Sequence, residues 1–430
     1  MSDVRLNHRD QQFLSGKHGR GAQLAMSLIV KAAEVSGAES LIDVSQAHVG
    51  SGCPGGDITV DFVEFLVSEG AKVAIPTRTT AVLLDSTNRG ICAASVTDER
   101  FEASSRLMRL AEQLGCEPVW TCAPYLLPDP PKLGEHIVGS ESNAVTFYNS
   151  VLGARTNKYG DFLDICAAIT ARVPYVGLHT DIGRAGKLLF ELNTFPPELL
   201  NADLFYHALG HFIGRHARDA VSVISGLPPS VNNDQLKAIS AAVAASGGVS
   251  LFHAPEITPE APTIEAAFQG NLPQAIIEVT PKALVVARDS LSSLGHGPLN
   301  AVCVGTPHFS LSEMEQVVTL LGGQRVNPRV HFYITTCRYV ADQARALGWL
   351  EVLASAGAQL VLDMCTYTSP VVRGCEGAVM TNSAKWAYYA PGFLGVDVAF
   401  GSLHECVESA IRGRVWRDPQ AWSDEFWGVH

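Results

Sequence analysis

Short runs of apolar and β-branched residues alternate with helical stretches along most of this chain, and this alternation restricts the fold more than any other feature. We predict strands at residues 40–44, 72–75, 118–121, 221–224, 249–252, 283–287, 301–304, 330–334, 359–363, 378–381 and 396–400. Helical periodicity lies between many of them, as at 21–35, 58–68, 101–114 and 311–321. Such alternation predicts parallel sheets covered by helices on both faces. We therefore predict an α/β fold with several parallel-sheet domains and the site at their junction, beyond the carboxyl ends of the strands.

Composition and length indicate more than one globular domain. The chain has 430 residues, 47% of them hydrophobic, which is enough for two or three domains with ample core. A Pro-rich stretch at 255–262 precedes a denser run of predicted strands and helices, so we place a boundary near residue 280. The predicted domains are an N-terminal α/β region at 1–280, a C-terminal α/β domain at 281–410, and a tail at 411–430. Three of the six tryptophans lie in this tail, which we expect to dock on the body or on a partner.

The charge and the ends of the chain restrict its partners and location. Lys and Arg number 31 against 43 Asp and Glu, and the net charge of −12 argues against nucleic acid or an anionic membrane as a partner. A small-molecule substrate is the better expectation. The N-terminus has no apolar signal-like segment, no stretch approaches 18 apolar residues, and ten cysteines without a leader indicate reduced thiols. We expect a cytoplasmic protein.

Three cysteines, Cys122, Cys303 and Cys365, lie at or just after the ends of predicted strands, in short turn-like stretches. Three thiolates on loops can hold an iron–sulfur cluster with one iron left open, and an open iron acts as a Lewis acid. A single free cysteine is most often a small buried apolar residue, so the prediction depends on all three together. The chain has no C-x-x-C and no H-E-x-x-H, which disfavours a zinc site. The pattern predicts hydration or dehydration chemistry.

A glycine-rich turn at residues 50–55 matches G-x-G-x-x-G, but the next predicted strand has no acidic residue placed for a ribose. We instead predict an anion-binding loop that uses the backbone amides of Gly50, Ser51 and Gly52, with His48 beside it. A second polar cluster, which includes Ser142 and Asn143, follows Cys122, and helix capping is the structural alternative for it.

These motifs together resemble the aconitase X family, a divergent branch of the aconitase superfamily. The resemblance extends from about residue 8 to 410 and is carried by SQAH at 45–48, TCAPYL at 121–126, LGEH at 133–136, ESNA at 141–144, NSVLGARTN at 149–157, GTPH at 305–308, TNSAK at 381–385 and GSL at 401–403. It implies a hydro-lyase with an iron–sulfur cluster held by three cysteines.

Cys122 and Cys365 correspond to two of the family's cluster ligands. Members that act on phosphomevalonate have Gly-Cys-Pro-His where this chain has Gly305-Thr306-Pro307-His308, so we expect Cys303 to be the third ligand. This departure resembles bacterial members that dehydrate cis-3-hydroxy-L-proline and hold a two-iron cluster. The resemblance thus implies a [2Fe-2S] cluster, with a four-iron or three-iron cluster as the alternative.

The resemblance also implies the remaining site residues and a partner. We expect Lys385 and His48 in catalytic positions, and substrate contacts at Gly50, Ser51, Gly52, Ser142 and Asn143. A small subunit with a swivelling domain would supply a catalytic serine. A phosphomevalonate-type dehydratase, with Arg78 or Arg155 at the phosphate, is one alternative function. A non-catalytic iron–sulfur sensor is another, and the net charge speaks against nucleic-acid sensing.

Overall fold

The computed structural model describes residues 4–50, 57–160, 162–192, 194–368 and 370–429. Within these ranges the strands form four sheets, of which three are parallel and one, with two strands, is antiparallel. The parallel sheets confirm the predicted α/β class. No helix in the described ranges is both long and apolar enough to cross a membrane.

The N-terminal region contains the two smaller sheets. Strand Leu41–Asp43 pairs antiparallel with Arg172–Pro174, and the parallel sheet has the order Thr77–Thr79, Ala47–Val49, Val138–Gly139. The helices of this region are His8–Leu14, Arg20–Ser36, Asp57–Ser68, Asp98–Leu114, Ser142–Ser150 and Leu163–Thr170, with short 3₁₀ turns at Arg89–Ile91, Pro124–Leu126, Gly177–His179 and Ile182–Arg184. Ala47–Val49 is buried throughout, as expected for a central strand.

The middle region is built on a four-stranded parallel sheet in the order Phe252–His253, Ser222–Ser225, Leu188–Leu192, Ala275–Val279. Its helices are Pro197–Leu200, Asp203–Ala217, Asn233–Ser246, Ile264–Ala267 and Pro281–Asp289. The helices Asp203–Ala217 and Asn233–Ser246 pack closely because Gly210 of the first faces Ala242 of the second. A Cβ added to Gly210 would lie 2.7 Å from the Ala242 Cβ.

The C-terminal region is a five-stranded parallel sheet in the order Ala358–Val361, His331–Thr336, Ala301–Phe309, Ala378–Thr381, Asp397–Phe400. Its helices are Leu311–Leu321, Arg338–Ala346, Trp349–Ala356, Ala384–Leu394 and Leu403–Arg412. The first helix begins with a capping box: the Ser310 hydroxyl accepts the Glu313 N–H at 3.2 Å, and the Glu313 carboxylate accepts the Ser310 N–H at 2.8 Å.

The Trp-rich tail packs on the body and contains the short helix Asp424–Trp427. Trp427 has no exposed surface, and its indole N–H donates to the Ala421 carbonyl at 2.8 Å. The Arg288 guanidinium lies 4.0 Å from the ring centre of Trp422 and 4.8 Å from that of Trp427. The tail therefore covers the helix Pro281–Asp289.

Three predicted strands, at 72–75, 118–121 and 283–287, are wrong. Residues 72–75 have no strand conformation, and the strand of this segment begins only at Thr77. Residues 283–287 lie in the helix Pro281–Asp289, because Thr280 caps that helix and Pro281 occupies its first turn, where proline costs no hydrogen bond. Residues 118–121 have no strand conformation. The proposed boundary near residue 280 stays a prediction.

Replacing Trp427 with alanine tests the docking of the tail. Loss of a fully buried tryptophan should lower the free energy of unfolding by about 3–5 kcal/mol, measured by urea denaturation. The matched control is Leu272→Ala, since Leu272 is 89% exposed, and it should change stability by less than about 0.5 kcal/mol. Equal effects of the two changes would contradict a packed tail.

Candidate active site

A local departure from sheet pairing brings one end of the strand Ala301–Phe309 into the site. Val304 pairs with Ile334, and the next pair along is Phe309 with Thr336. The first strand advances five residues between these pairs while its neighbour His331–Thr336 advances two. The first strand therefore has three extra residues, which form a bulge. His308 lies in this bulge and is fully buried.

Gly305 allows the bulge to begin. Its φ of +92° lies where side chains are disfavoured, and an added Cβ would lie 2.1 Å from the carbonyl oxygen of Thr335. Only glycine permits this approach of the two backbones.

Cys122, Cys365 and His308 converge in the interior. One potential ligand atom from each, a sulfur from each cysteine and a ring nitrogen from the histidine, lies within 4.8 Å of the other two. All three residues are buried. Cys122 comes from the N-terminal region, whereas His308 and Cys365 come from the C-terminal region, so the group lies where these regions meet.

The two thiols interact strongly. Burial raises the pKa of Cys122, but hydrogen bonding to Cys365 and the nearby His308 outweigh it, so that its pKa falls to about 6. The hydrogen bond to Cys122 and burial raise the pKa of Cys365. One proton shared by two sulfurs is the physical cause, and it leaves one thiolate available near neutral pH.

An ion pair anchors the turn that carries Cys365. Asp363 adopts a φ of +65° and is fully buried. The Arg338 guanidinium donates to its two carboxylate oxygens at 2.7 and 2.6 Å, and the Ser86 hydroxyl donates to one of them at 2.8 Å. The turn is therefore held from two sides.

Asn143 holds the turn of Cys122. Its side-chain nitrogen donates to the Cys122 carbonyl at 2.9 Å and to a Glu141 carboxylate oxygen at 2.8 Å. Its side-chain oxygen accepts the Tyr125 hydroxyl at 2.7 Å. Both amide hydrogens and the oxygen are thus bonded within the protein, which favours a positioning role over the expected substrate contact.

The buried Lys385 forms an ion pair with the partly exposed Glu141, and the Ser142 hydroxyl oxygen lies 3.4 Å from the lysine ammonium nitrogen. Burial lowers the pKa of Lys385, but the carboxylate outweighs it and the pKa is raised. Burial likewise raises the pKa of Glu141, and the ammonium brings it down to about 2. Both groups are therefore charged at neutral pH.

His48 lies in the strand Ala47–Val49, and Gly50 follows this strand directly. The His48 Nε2 atom donates to the Thr121 carbonyl at 2.9 Å, and Nδ1 is a buried atom without a partner. Burial lowers the pKa of His48 to about 4, so the ring is neutral at pH 7. The Gly50 N–H donates to the Asp164 carboxylate at 2.5 Å and is not free for a substrate anion. The predicted contacts Ser51 and Gly52 lie outside the described residues.

The structure does not bring Cys303 together with Cys122 and Cys365. The strand continues to Phe309, so Cys303 lies inside it rather than at its end. Its sulfur lies 3.5 Å from the sulfur of Cys375. The expected third ligand is therefore part of a separate thiol pair, and His308 occupies the place beside the two cysteines.

Two residues of the site had no assigned role in the sequence analysis. Glu141 lies in the ESNA motif beside the two residues that were predicted, and only its contact with Lys385 shows what it does. His308 ends the GTPH motif. Its nearness to Cys122, 186 positions away, could not be found from spacing.

Comparison with known proteins identifies the family of this chain. The sequence models of the aconitase X first, second and third domains match residues 3–182, 186–289 and 299–412. The chain belongs to the aconitase X family. A crystal structure of Thermococcus kodakaraensis aconitase X in its holo-form superposes with a TM-score of 0.82 at 27% identity, covering 95% of this chain and 100% of that one.

Among three similar proteins, two are named for one dehydratase activity and the third for another. The chain is 40% identical to a cis-3-hydroxy-L-proline dehydratase of Pseudomonas aeruginosa, over 98% of the chain and 72% of that protein. It is 38% identical to a protein of the same name from Hypocrea jecorina, over 95% of the chain and 69% of that protein. Identity to a phosphomevalonate dehydratase large subunit of Methanocaldococcus jannaschii is 31%, over 94% of the chain and 99% of that protein.

Replacing Glu141 with glutamine tests the ion pair of this aconitase X site. At pH 7 the change leaves Lys385 without its counter-charge and should cost about 3–5 kcal/mol of unfolding free energy. A carboxylate with a pKa of about 2 contributes stability above its ordinary pKa of 4.5, and this contribution is lost as the pH falls from there towards 2. The difference between the two proteins should therefore shrink over that range. If the difference in unfolding free energy stays the same over this pH range, the ion pair is contradicted. The control is Glu315→Gln, at an exposed residue.

Proposed function

We propose that this chain is the large-subunit part of an iron–sulfur hydro-lyase that dehydrates cis-3-hydroxy-L-proline to a pyrroline-2-carboxylate. The observation that carries the proposal is a buried pair of opposite charges, Lys385 and Glu141, near the two thiols of Cys122 and Cys365. The 40% and 38% identities to dehydratases of that amino acid support it.

The donor set fits an iron–sulfur cluster. Cys122 and Cys365 would hold it through their sulfurs, which are the ligands such clusters take, and the Cys122 pKa of about 6 makes a thiolate available. When bound, the cluster supplies a Lewis-acidic iron that stabilises the charge developing on the leaving hydroxyl oxygen. A two-iron cluster is the form that we favour, because the GTPH sequence at 305–308 resembles that of the hydroxyproline-dehydrating members.

The charges of the site match those of the substrate. A hydroxyproline carries a carboxylate and a ring ammonium, and Lys385 and Glu141 offer one partner to each. Exchange of the internal ion pair for two pairs with the substrate leaves no charge unpaired in the buried site, which limits the cost of desolvation. Ser142, 3.4 Å from the Lys385 nitrogen, is placed to donate to the same carboxylate.

The reaction removes one proton from the α-carbon and hydroxide from the adjacent carbon, so the products are the unsaturated ring and water. A proton acceptor must lie close to the α-carbon. His48 is neutral and has an unpartnered Nδ1 atom, so we assign the proton transfer to it. A serine on a swivelling partner domain, as the family implies, would complete the acid–base set.

Phosphomevalonate is the weaker candidate substrate. Its phosphate requires additional cations, and the two arginines considered for this role have acidic partners. Arg78 pairs with Glu117 at 3.2 Å, and Arg155 pairs with Asp181 at 2.6 Å. A sensor function would need a surface for nucleic acid, which the net charge of −12 disfavours.

Replacing Cys122 with serine tests the assignment. Protein purified without oxygen should contain iron and acid-labile sulfide, and should release pyrroline-2-carboxylate from cis-3-hydroxy-L-proline when mixed with the part of the Pseudomonas aeruginosa relative that this chain does not match. Cys122→Ser should lose the iron and at least about 100-fold in turnover. Cys166→Ser, at a buried cysteine inside the helix Leu163–Thr170, is the control and should keep both. Turnover of phosphomevalonate instead of hydroxyproline would refute the proposed substrate.

Replacing Lys385 with methionine separates binding from cluster assembly. The substrate carboxylate would lose its cation, so kcat/KM should fall about 100-fold through misplacement, while the iron content stays the same. The exposed Lys282→Met is the control. An unchanged kcat/KM in Lys385→Met would show that Lys385 does not bind the substrate carboxylate.

A further inference from the structure

A histidine ring joins the two turns that carry Cys122 and Cys365. The Nε2 atom of His308 lies 3.0 Å from the carbonyl oxygen of Met364, and its Nδ1 atom lies 3.0 Å from the hydroxyl oxygen of Thr121. Thr121 and Met364 each come directly before one of the two cysteines. The ring thus connects one cysteine turn to the other.

The chemistry of one partner shows which ring nitrogen donates. A carbonyl oxygen only accepts, so Nε2 of His308 carries a hydrogen and donates it to Met364. The Thr121 hydroxyl oxygen already accepts the Ala123 N–H at 3.0 Å, and its own hydrogen is free to be donated to Nδ1. Both ring nitrogens of His308 therefore lie within hydrogen-bond distance of protein groups.

The backbone of the same residue adds a third connection, because the His308 N–H donates to the Cys122 sulfur at 3.4 Å. His308, Thr121 and Met364 have no exposed surface. In such an interior no water replaces a lost partner, so breaking either ring hydrogen bond leaves a buried polar group unsatisfied. These bonds resist the rearrangement that would free a ring nitrogen for a metal.

We infer that His308 is a positioning residue for the thiol pair: its ring sets the separation of the Cys122 and Cys365 turns and is not itself a metal ligand. The inference rests on the proposed function, which makes these two cysteines the cluster ligands. In metal sites, residues that hydrogen-bond to the ligands orient those ligands, and we assign this role to His308.

Titration of the metal-free protein with Cd²⁺ tests the inference without requiring a cluster or turnover. Cadmium bound by thiolates absorbs in the ultraviolet, which reports affinity directly. The variants are His308→Ala, which removes both ring bonds, His308→Gln, whose amide retains a donor for Met364, and Thr121→Val, which removes only the hydroxyl. Thr146→Val is the matched control, since Thr146 is a buried threonine that donates to the Val249 carbonyl at 2.8 Å.

A positioning role predicts a graded result. His308→Ala and Thr121→Val should weaken Cd²⁺ binding by about 10–100-fold, His308→Gln by less, and Thr146→Val not at all. A ligand role predicts another pattern: both His308 variants lose affinity equally, and Thr121→Val, which frees a ring nitrogen, keeps it. That pattern, or unchanged binding by His308→Ala, would overturn the inference. If His308→Ala fails to fold, comparing the Cd²⁺ affinities of Thr121→Val and Thr146→Val decides between the two roles.

Electron paramagnetic resonance of the reduced, iron-loaded protein gives a second readout. With ¹⁵N-labelled histidine, a positioning role predicts no strong coupling to a ring nitrogen, whereas a ligand role predicts strong coupling that His308→Gln abolishes. Normal Cd²⁺ binding with no turnover would refute the proposed function and leave this inference standing. Failure of the wild-type protein to bind Cd²⁺ would overturn both.

Discussion

The exit of one strand from its sheet determines how the whole site is assembled. Between Val304 and Phe309 the backbone leaves the neighbouring strand, and its polar groups find partners elsewhere. The His308 N–H reaches the Cys122 sulfur, and the His308 carbonyl accepts the buried Lys237 ammonium at 3.4 Å. Lys237 belongs to the helix Asn233–Ser246 of the middle region. One bulge therefore joins all three regions, because unpaired backbone groups in an interior must be satisfied by whatever lies close.

Ion pairs with a buried cation join segments that are distant in the sequence. Lys385 pairs with Glu141 across the site, Lys237 with Glu313 behind the bulge, and Arg172 with Asp10 near the N-terminus. A buried ion pair adds little net stability over an apolar contact, since both charges lose their hydration. Such a pair instead fixes the relative orientation of the segments that it joins, because few geometries satisfy both charges. The pair at the site can also exchange its partners for those of a charged substrate, which an apolar contact cannot do.

Local patterns predicted the regular elements well where one face is buried. The helix at 311–321 and the strand at 378–381 agree with the structure. Residues 283–287 were predicted as a strand because a short apolar run satisfies both periodicities, and the cap at Thr280 decided for a helix. The motifs also indicated Cys122, Ser142 and Lys385, which the structure places within one connected set of contacts.

The sequence by itself determined the α/β class, the family motifs and which side chains carry chemistry, because these depend on periodicity and on residue type. Only the tertiary structure decided which of those groups meet. Cys303 and His308 are five residues apart, yet the first lies beside Cys375 and the second beside Cys122 and Cys365. The difference arises from three extra residues in one strand, which depend on a backbone approach between Gly305 and Thr335. Contacts between distant segments of this kind leave no trace in local spacing, so the ligand environment emerges only when the sheet is formed.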